Sequence, residues 1–382
     1  MRILVFNNEF PPLGGGTAIK NYNLFKVWET IPGLEVDLVT SSRTRHEYER
    51  ESFSENITLH KVPVDNRNIH HAANVELLRY ARRAYAYAQK ELDLNSYDIG
   101  IGFHGVPAGA VAWRLSRKGG FPFIVILEGA DIPGFETRYK YIYPFLKPLL
   151  RRIWTAAARV TAISKEHLAL AHAFMPEMDI PMINNGVDAK AFHPPEQARD
   201  TADIHFTCVG RLIERKGQHF LIEAFSRLVP PEGKQLKLSL VGTGDAEPHL
   251  RELARQFDVV DRVDFRGTVA LEDMPAAYRE ADIFVLPSMS EGMSLGLLEA
   301  MASGLPVIVT DAGGTAELVK GNGSIIQWAD IDGLQVAMQD MLADEAGRVE
   351  MARRSRTIAE QFSWEAVSRT YLDLCQEIIE SK

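Results

Sequence analysis

The 382 residues, 46% hydrophobic and 24% charged, suit a folded protein of two domains and exclude a largely disordered or collagen-like chain. With 42 basic and 51 acidic residues the formal charge is −9, which excludes bulk attraction to nucleic acid. Two distant cysteines, Cys208 and Cys375, cannot build a disulfide framework or a zinc ribbon and point to a reducing cytoplasm.

The apolar run 2–6 predicts a buried strand and is too short for the core of a signal peptide. No uncharged apolar stretch approaches the roughly 20 residues of a membrane-spanning helix. Further strands are expected at 36–40, 123–127 and 160–163, and then, after a restart, at 204–209, 237–241, 263–265, 283–286 and 307–310. Helical patterns such as 217–228 and 247–257 lie between them. Strands alternating with helices predict parallel α/β sheets. The restart follows Phe192-His193-Pro194-Pro195-Glu196-Gln197, a linker composition. The expected domains are therefore 1–195 and 203–362, two Rossmann-like halves whose strand ends face one interdomain cleft.

Four stretches carry candidate chemistry. Gly14-Gly15-Gly16 follows the first strand and precedes an apolar helix. It suits either close backbone approach to a ligand or a flexible turn. Asp37 lies roughly 20 residues on, as a ribose-binding acid of a dinucleotide fold would, but too early in its strand for that role. In Val209-Gly210-Arg211-Leu212-Ile213-Glu214-Arg215-Lys216-Gly217, Arg211 and Lys216 follow a strand end; they suit a diphosphate, or a solvated basic loop. In Ser290-Glu291-Gly292-Met293-Ser294-Leu295-Gly296-Leu297-Leu298-Glu299-Ala300, Ser294 reads as a helix cap. The N–H groups of Ser294 and Leu295 then point at an anion, Glu291 sits in the loop, and Glu299 lies within the helix. Asp330-Ile331-Asp332 is formally a metal-type carboxylate pair, but it directly precedes the helical pattern 334–342, so capping is the expectation. No His/Cys cluster has metal spacing, and no metal is expected.

On these residues the chain resembles retaining glycosyltransferases of the GT-B fold, family GT4, over nearly its whole length. Glu291 and Glu299 match that family's EX7E motif, and Arg211 with Lys216 its GR…KG phosphate pair. Asn184-Asn185-Gly186-Val187-Asp188 is similar to its NGVD segment. Val241-Gly242-Thr243-Gly244 resembles its VGxG turn, and Ala281-Asp282-Ile283-Phe284-Val285-Leu286-Pro287-Ser288 its ADxFVLPS run.

The resemblance implies a nucleotide-diphosphate sugar (UDP-, GDP- or ADP-linked) as co-substrate, no cofactor, and a glycan or lipid-linked acceptor. Glu299 would hold the ribose hydroxyls, Glu291 the transferred sugar, and Arg211 and Lys216 the leaving diphosphate, assisted by Ser294 and Leu295. Gly15 and Gly16 would approach the phosphates or acceptor; Gly242, Arg266 and Gly267 would also lie on the donor side, the last two near the base. The helix 363–382 would pack back on the first domain. The family's usual histidine after strand 123–127 is replaced by Glu128, in Glu128-Gly129-Ala130-Asp131; Asp131 would join Glu291, Arg211 and Lys216 as a catalytic residue, and with Glu128 and His104 it is an acceptor-side candidate. That departure keeps an inactive nucleotide-sugar-binding protein open, beside an epimerase or phosphorylase of the same fold.

The stretch 138–159, from Arg138 to Arg159, holds six basic and no acidic residues, interleaved with aromatics. It suits a helix with its aromatics in the core, or peripheral contact with an anionic membrane from the cytoplasmic side.

Overall fold

In a computed structural model, residues 1–69, 72–136, 139–196 and 203–381 are described; Arg138, Gln197 and Lys382, named above, lie outside them. They form two units, Met1–Asn185 with Trp364–Lys382, and Gly186–Ser363.

The first unit runs β1 (Arg2–Phe6), α1 (Gly16–Trp28), β2 (Glu35–Ser42), β3 (Glu49–Ser52), β4 (Ile57–Pro63), α2 (Asn74–Glu91), β5 (Ile99–Phe103), α3 (Ala110–Gly119), β6 (Phe123–Ile126), α4 (Tyr143–Ala156), β7 (Arg159–Thr161) and α5 (Lys165–Phe174). The second runs β8 (Asp203–Val209), α6 (Gln218–Ser226), β9 (Gln235–Val241), α7 (Glu247–Gln256), β10 (Val263–Gly267), α8 (Met274–Arg279), β11 (Ile283–Leu286), α9 (Leu295–Ala302), β12 (Val307–Thr310), β13 (Gly323–Ile326), α10 (Ile331–Ala343) and α11 (Glu345–Ala359). The last helix, α12 (Trp364–Glu380), returns to the first unit and packs on α1.

The first sheet has the order β3-β4-β2-β1-β5-β6-β7, parallel except for β3 against β4. The second has the order β10-β9-β8-β11-β12-β13, all parallel. Central strands are continuous apolar runs because both faces are covered by helices. Ile3, Leu4, Val5 and Phe6 are all fully buried, as are Ile283, Phe284 and Val285. Each sheet reverses strand order beside its first strand, between β1 and β5 and between β8 and β11. Loops diverge there and leave room for a ligand at the carboxyl ends.

Four strands were not anticipated: β3, β4, β5 and β13. In β5, Ile-Gly-Ile-Gly-Phe, glycines hide the apolar pattern, yet packing demands them. A Cβ on Gly102 would lie 2.7 Å from the Gly109 Cα, and one on Gly100 2.9 Å from the Phe121 ring. Similarly, a Cβ on Gly323 in β13 would lie 1.8 Å from the Val307 carbonyl oxygen.

The units divide at Asn185, ahead of the proline-rich segment expected to separate them. The Val187 N–H donates to the Phe362 carbonyl at 2.7 Å. Arg356 donates to the carbonyls of Ala189 at 2.9 Å and of Phe192 at 2.7 Å, tying this stretch to the second unit.

Candidate active site

At the second unit's reversal point, β8 ends and the chain passes Gly210 and Arg211 into a single turn, Glu214–Lys216. Gly217 closes that turn at φ +69°, and a Cβ there would lie 2.0 Å from the Pro287 carbonyl oxygen. Only glycine lets this loop lie against the one leaving β11. The loops are tied by the Met289 N–H, which donates to the Arg215 carbonyl at 2.8 Å. The ammonium of Lys216 consequently meets the carboxylate of Glu291 in an ion pair with side chains only 14% and 11% exposed. Burial alone would raise the Glu291 carboxyl, but the adjacent Lys216 charge and hydrogen bond hold it below its usual range.

Three residues on, the Ser294 hydroxyl accepts from the Leu297 N–H at 3.3 Å and caps α9, leaving the first N–H groups of the helix for another acceptor. Glu299 lies on the second turn of α9. Burial pushes its carboxyl up to about 7, against a hydrogen bond donated by the Tyr278 hydroxyl at 2.9 Å. Arg211, Lys216, Glu291, Ser294, Leu295 and Glu299 thus all fall on the two segments that flank this reversal point.

Gly242 and Gly267 lie one layer out and support the loops. Gly242 donates to the Gly267 carbonyl at 2.8 Å, and a Cβ on it would lie 2.2 Å from the Gly210 carbonyl oxygen. Arg266 sits on the edge strand β10 with its guanidinium on Glu280 at 2.5 Å. Among the described residues no ion pair joins it to Lys216 or Glu291. Asp330 caps α10 by accepting from the Gly333 N–H at 2.8 Å, and Asp332 pairs with Arg227 at 2.7 Å.

The first unit holds a separate constellation at its own reversal point. Gly15 and Gly16 begin α1, and a Cβ on either would meet only open space. The N–H of Gly15 donates to the Glu9 carboxylate at 3.1 Å. His104 follows β5 at φ +69°, a conformation costly for a residue with a Cβ, and its Nδ1 lies 3.5 Å from Asp131. Burial would lower the imidazole, but Asp131 outweighs it and raises it to about 9. Asp131 is itself held below its usual range, accepting from the N–H groups of Gly105, Glu128 and Gly129 at 2.7, 3.1 and 3.1 Å.

Glu128 is not presented to solvent. Its side chain is 4% exposed and takes the fully buried ammonium of Lys20 at 2.9 Å, with the Thr17 hydroxyl at 3.4 Å. The rings of Phe103 and, from α12, Tyr371 flank that ammonium at 5.9 and 5.5 Å. Burial opposes the Lys20 charge, but Glu128 overcomes it and raises the ammonium above its usual range. Of the three acceptor-side candidates His104 has the most exposed side chain, at 14%.

Lys20, Tyr371, Tyr278 and Glu9 were not singled out from sequence. Lys20 had a signal: with Leu24 and Trp28 it occupies one face of α1, a core position that a lysine holds only with a carboxylate partner. Asp37, the rejected ribose acid, instead binds His60 at 2.7 Å, Tyr97 at 2.8 Å and Arg2 at 3.1 Å.

Residues 15–191 match the family model described as Glycosyltransferase Family 4, and residues 203–344 that described as Glycosyl transferases group 1. The chain is 28% identical, over 90% of its length and 89% of the relative's, to the GDP-mannose-dependent alpha-(1-6)-phosphatidylinositol monomannoside mannosyltransferase of Mycolicibacterium smegmatis. Among solved structures it resembles sucrose-phosphate synthase from Thermosynechococcus elongatus, with a TM-score of 0.85 at 22% identity and complete coverage of both chains. It also resembles Anabaena HepE in complex with UDP and glucose, with a TM-score of 0.76 at 18% identity, covering 99% of this chain and 100% of the other.

Proposed function

The chain belongs to the GT4-type glycosyltransferases of GT-B fold, and from that premise we propose that it is a retaining, metal-independent enzyme. Its donor is a nucleotide-diphosphate sugar, and its acceptor is a glycan or lipid-linked sugar of cell-surface polysaccharide or glycolipid synthesis. The observation that carries this reading is the buried Lys216–Glu291 pair beside the capped N-terminus of α9.

Cleaving a glycosyl–phosphate bond builds negative charge on the diphosphate and positive charge on the sugar. Lys216, Arg211 and the first N–H groups of α9 are fixed cationic or dipolar partners for the leaving group. Lys216 carries three donors, so a bound diphosphate can share it with Glu291. Glu291, kept ionised, accepts hydroxyls of the sugar; Glu299 accepts those of the ribose. Retention through a covalent intermediate would need a free carboxylate on the far face of the sugar. Here one carboxylate is bound to Lys216 and the other keeps its proton to about pH 7, which favours front-face displacement. The relative's name makes GDP-mannose the first donor to test.

The test is thermal stabilisation by a panel of nucleotides and nucleotide sugars, with and without EDTA. A donor at a hundred times its Kd stabilises by about 2.7 kcal/mol, a rise of roughly 5–10 °C for a unit of this size. One diphosphate nucleotide should give that rise irrespective of EDTA, and Lys216→Met should lose it. An equal rise in Lys216→Met, or none from any nucleotide with folded protein, overturns the donor site.

A further inference from the structure

The stretch 138–159 sorts its aromatics by burial. Tyr143 and Trp154 lie on the core face of α4 with Leu150 and Ile153. Tyr141 and Phe145 point outward, 76% and 84% exposed, the two most exposed large apolar side chains among the described residues. Phe145 and Arg152, a heptad apart, share one exposed stripe of α4, and Lys147 and Arg151, one turn apart, share another. Neither α4 nor α3 contains an acidic residue, and α3 adds exposed Arg114, Arg117 and Lys118. None of these six cations pairs with a carboxylate among the described residues, although the protein's net charge is −9. Between the helices an open groove of about 380 Å³ is lined by Trp113, Arg151, Arg152, Thr155 and Ala156.

We infer that the α3–α4 face of the first unit is a docking surface for an anionic lipid bilayer, with Phe145 and Tyr141 entering the headgroup boundary and Arg151 and Arg152 taking a lipid phosphate beside Trp113. Charge complementarity selects the occupant. Guanidinium groups hold phosphate in forked hydrogen bonds, whereas exposed aromatic side chains gain by leaving water for the acyl boundary. A nucleic acid would use the charges and leave Phe145 without a role. No helix among the described residues is long and apolar enough to cross a membrane, so the contact lies on one leaflet. The inference extends the lipid-linked branch of the proposed acceptor class.

Sedimentation of the full chain with vesicles of phosphatidylcholine, with or without phosphatidylglycerol, tests it. Binding should require phosphatidylglycerol and weaken with salt. Arg151→Gln and Arg152→Gln should each lower partitioning about five-fold, and Phe145→Ser about ten-fold, with unchanged melting temperature. Binding that ignores these variants, or no binding to anionic vesicles, overturns the inference, as does equal binding to duplex DNA that Phe145→Ser leaves intact. The nucleotide shift should persist in every variant, so failure of the donor site and failure of the lipid surface are read separately.

Discussion

Replacing Lys20 by methionine strands the Glu128 carboxylate inside the first unit. At 2.9 Å, with side chains 0% and 4% exposed, the pair attracts by about 6 kcal/mol at an effective dielectric near 20. Desolvation of the two ions offsets much of that, so the pair adds little over an apolar substitute, while a lone buried charge costs about 3–5 kcal/mol. Lys20→Met and Glu128→Leu should each lower the melting temperature by roughly 6–20 °C for a unit this size. The double variant Lys20→Met/Glu128→Leu should recover most of that loss. Thermal and denaturant unfolding of the four proteins yield the coupling energy, expected near 3 kcal/mol or more. Single variants costing under about 1 kcal/mol that simply add would refute a buried ion pair here.

Glu299 keeps its proton to about pH 7 when folded but ionises near 4.5 in the unfolded chain. Its contribution is therefore fully present below 4.5 and lost as pH rises through 7, by up to about 3 kcal/mol. Glu299→Gln should flatten that decline in a series of melts across pH; an unchanged slope contradicts the burial argument. Tyr278→Phe removes a hydrogen bond that favours the ionised form and should extend the decline, which still begins near 4.5, to higher pH. His104 behaves as a raised cation: its pairing with Asp131 is fully present below 6.5 and lost as pH rises through about 9. The difference in melting temperature between the parent and His104→Gln should then shrink across that interval, and a constant difference would exclude the ion pair.

Much of this protein is local information. Apolar runs such as Ile3–Phe6 and Ile283–Leu286 announce buried parallel strands because both their faces are covered. Glycine, arginine, lysine and glutamate at strand ends announce the loops at the second unit's reversal point because close backbone approach and charge fall together there. The family likeness follows from those same short segments. Other features exist only once the chain is folded. The strand β5 is hidden by glycines whose need is set by Gly109 and Phe121, residues beyond it in the chain. The division at Asn185 is decided by Arg356, far along the sequence, capturing carbonyls of 189 and 192. Glu128 appears in the sequence as a lost histidine; in the fold it is half of an ion pair with Lys20, more than a hundred residues away, closed by Tyr371 from the last helix. Lys216 and Glu291 likewise meet only because β8 and β11 are neighbours in the sheet. Burial, and with it the charge state of each of these groups, is a property of the packed interior, which the sequence specifies but does not display.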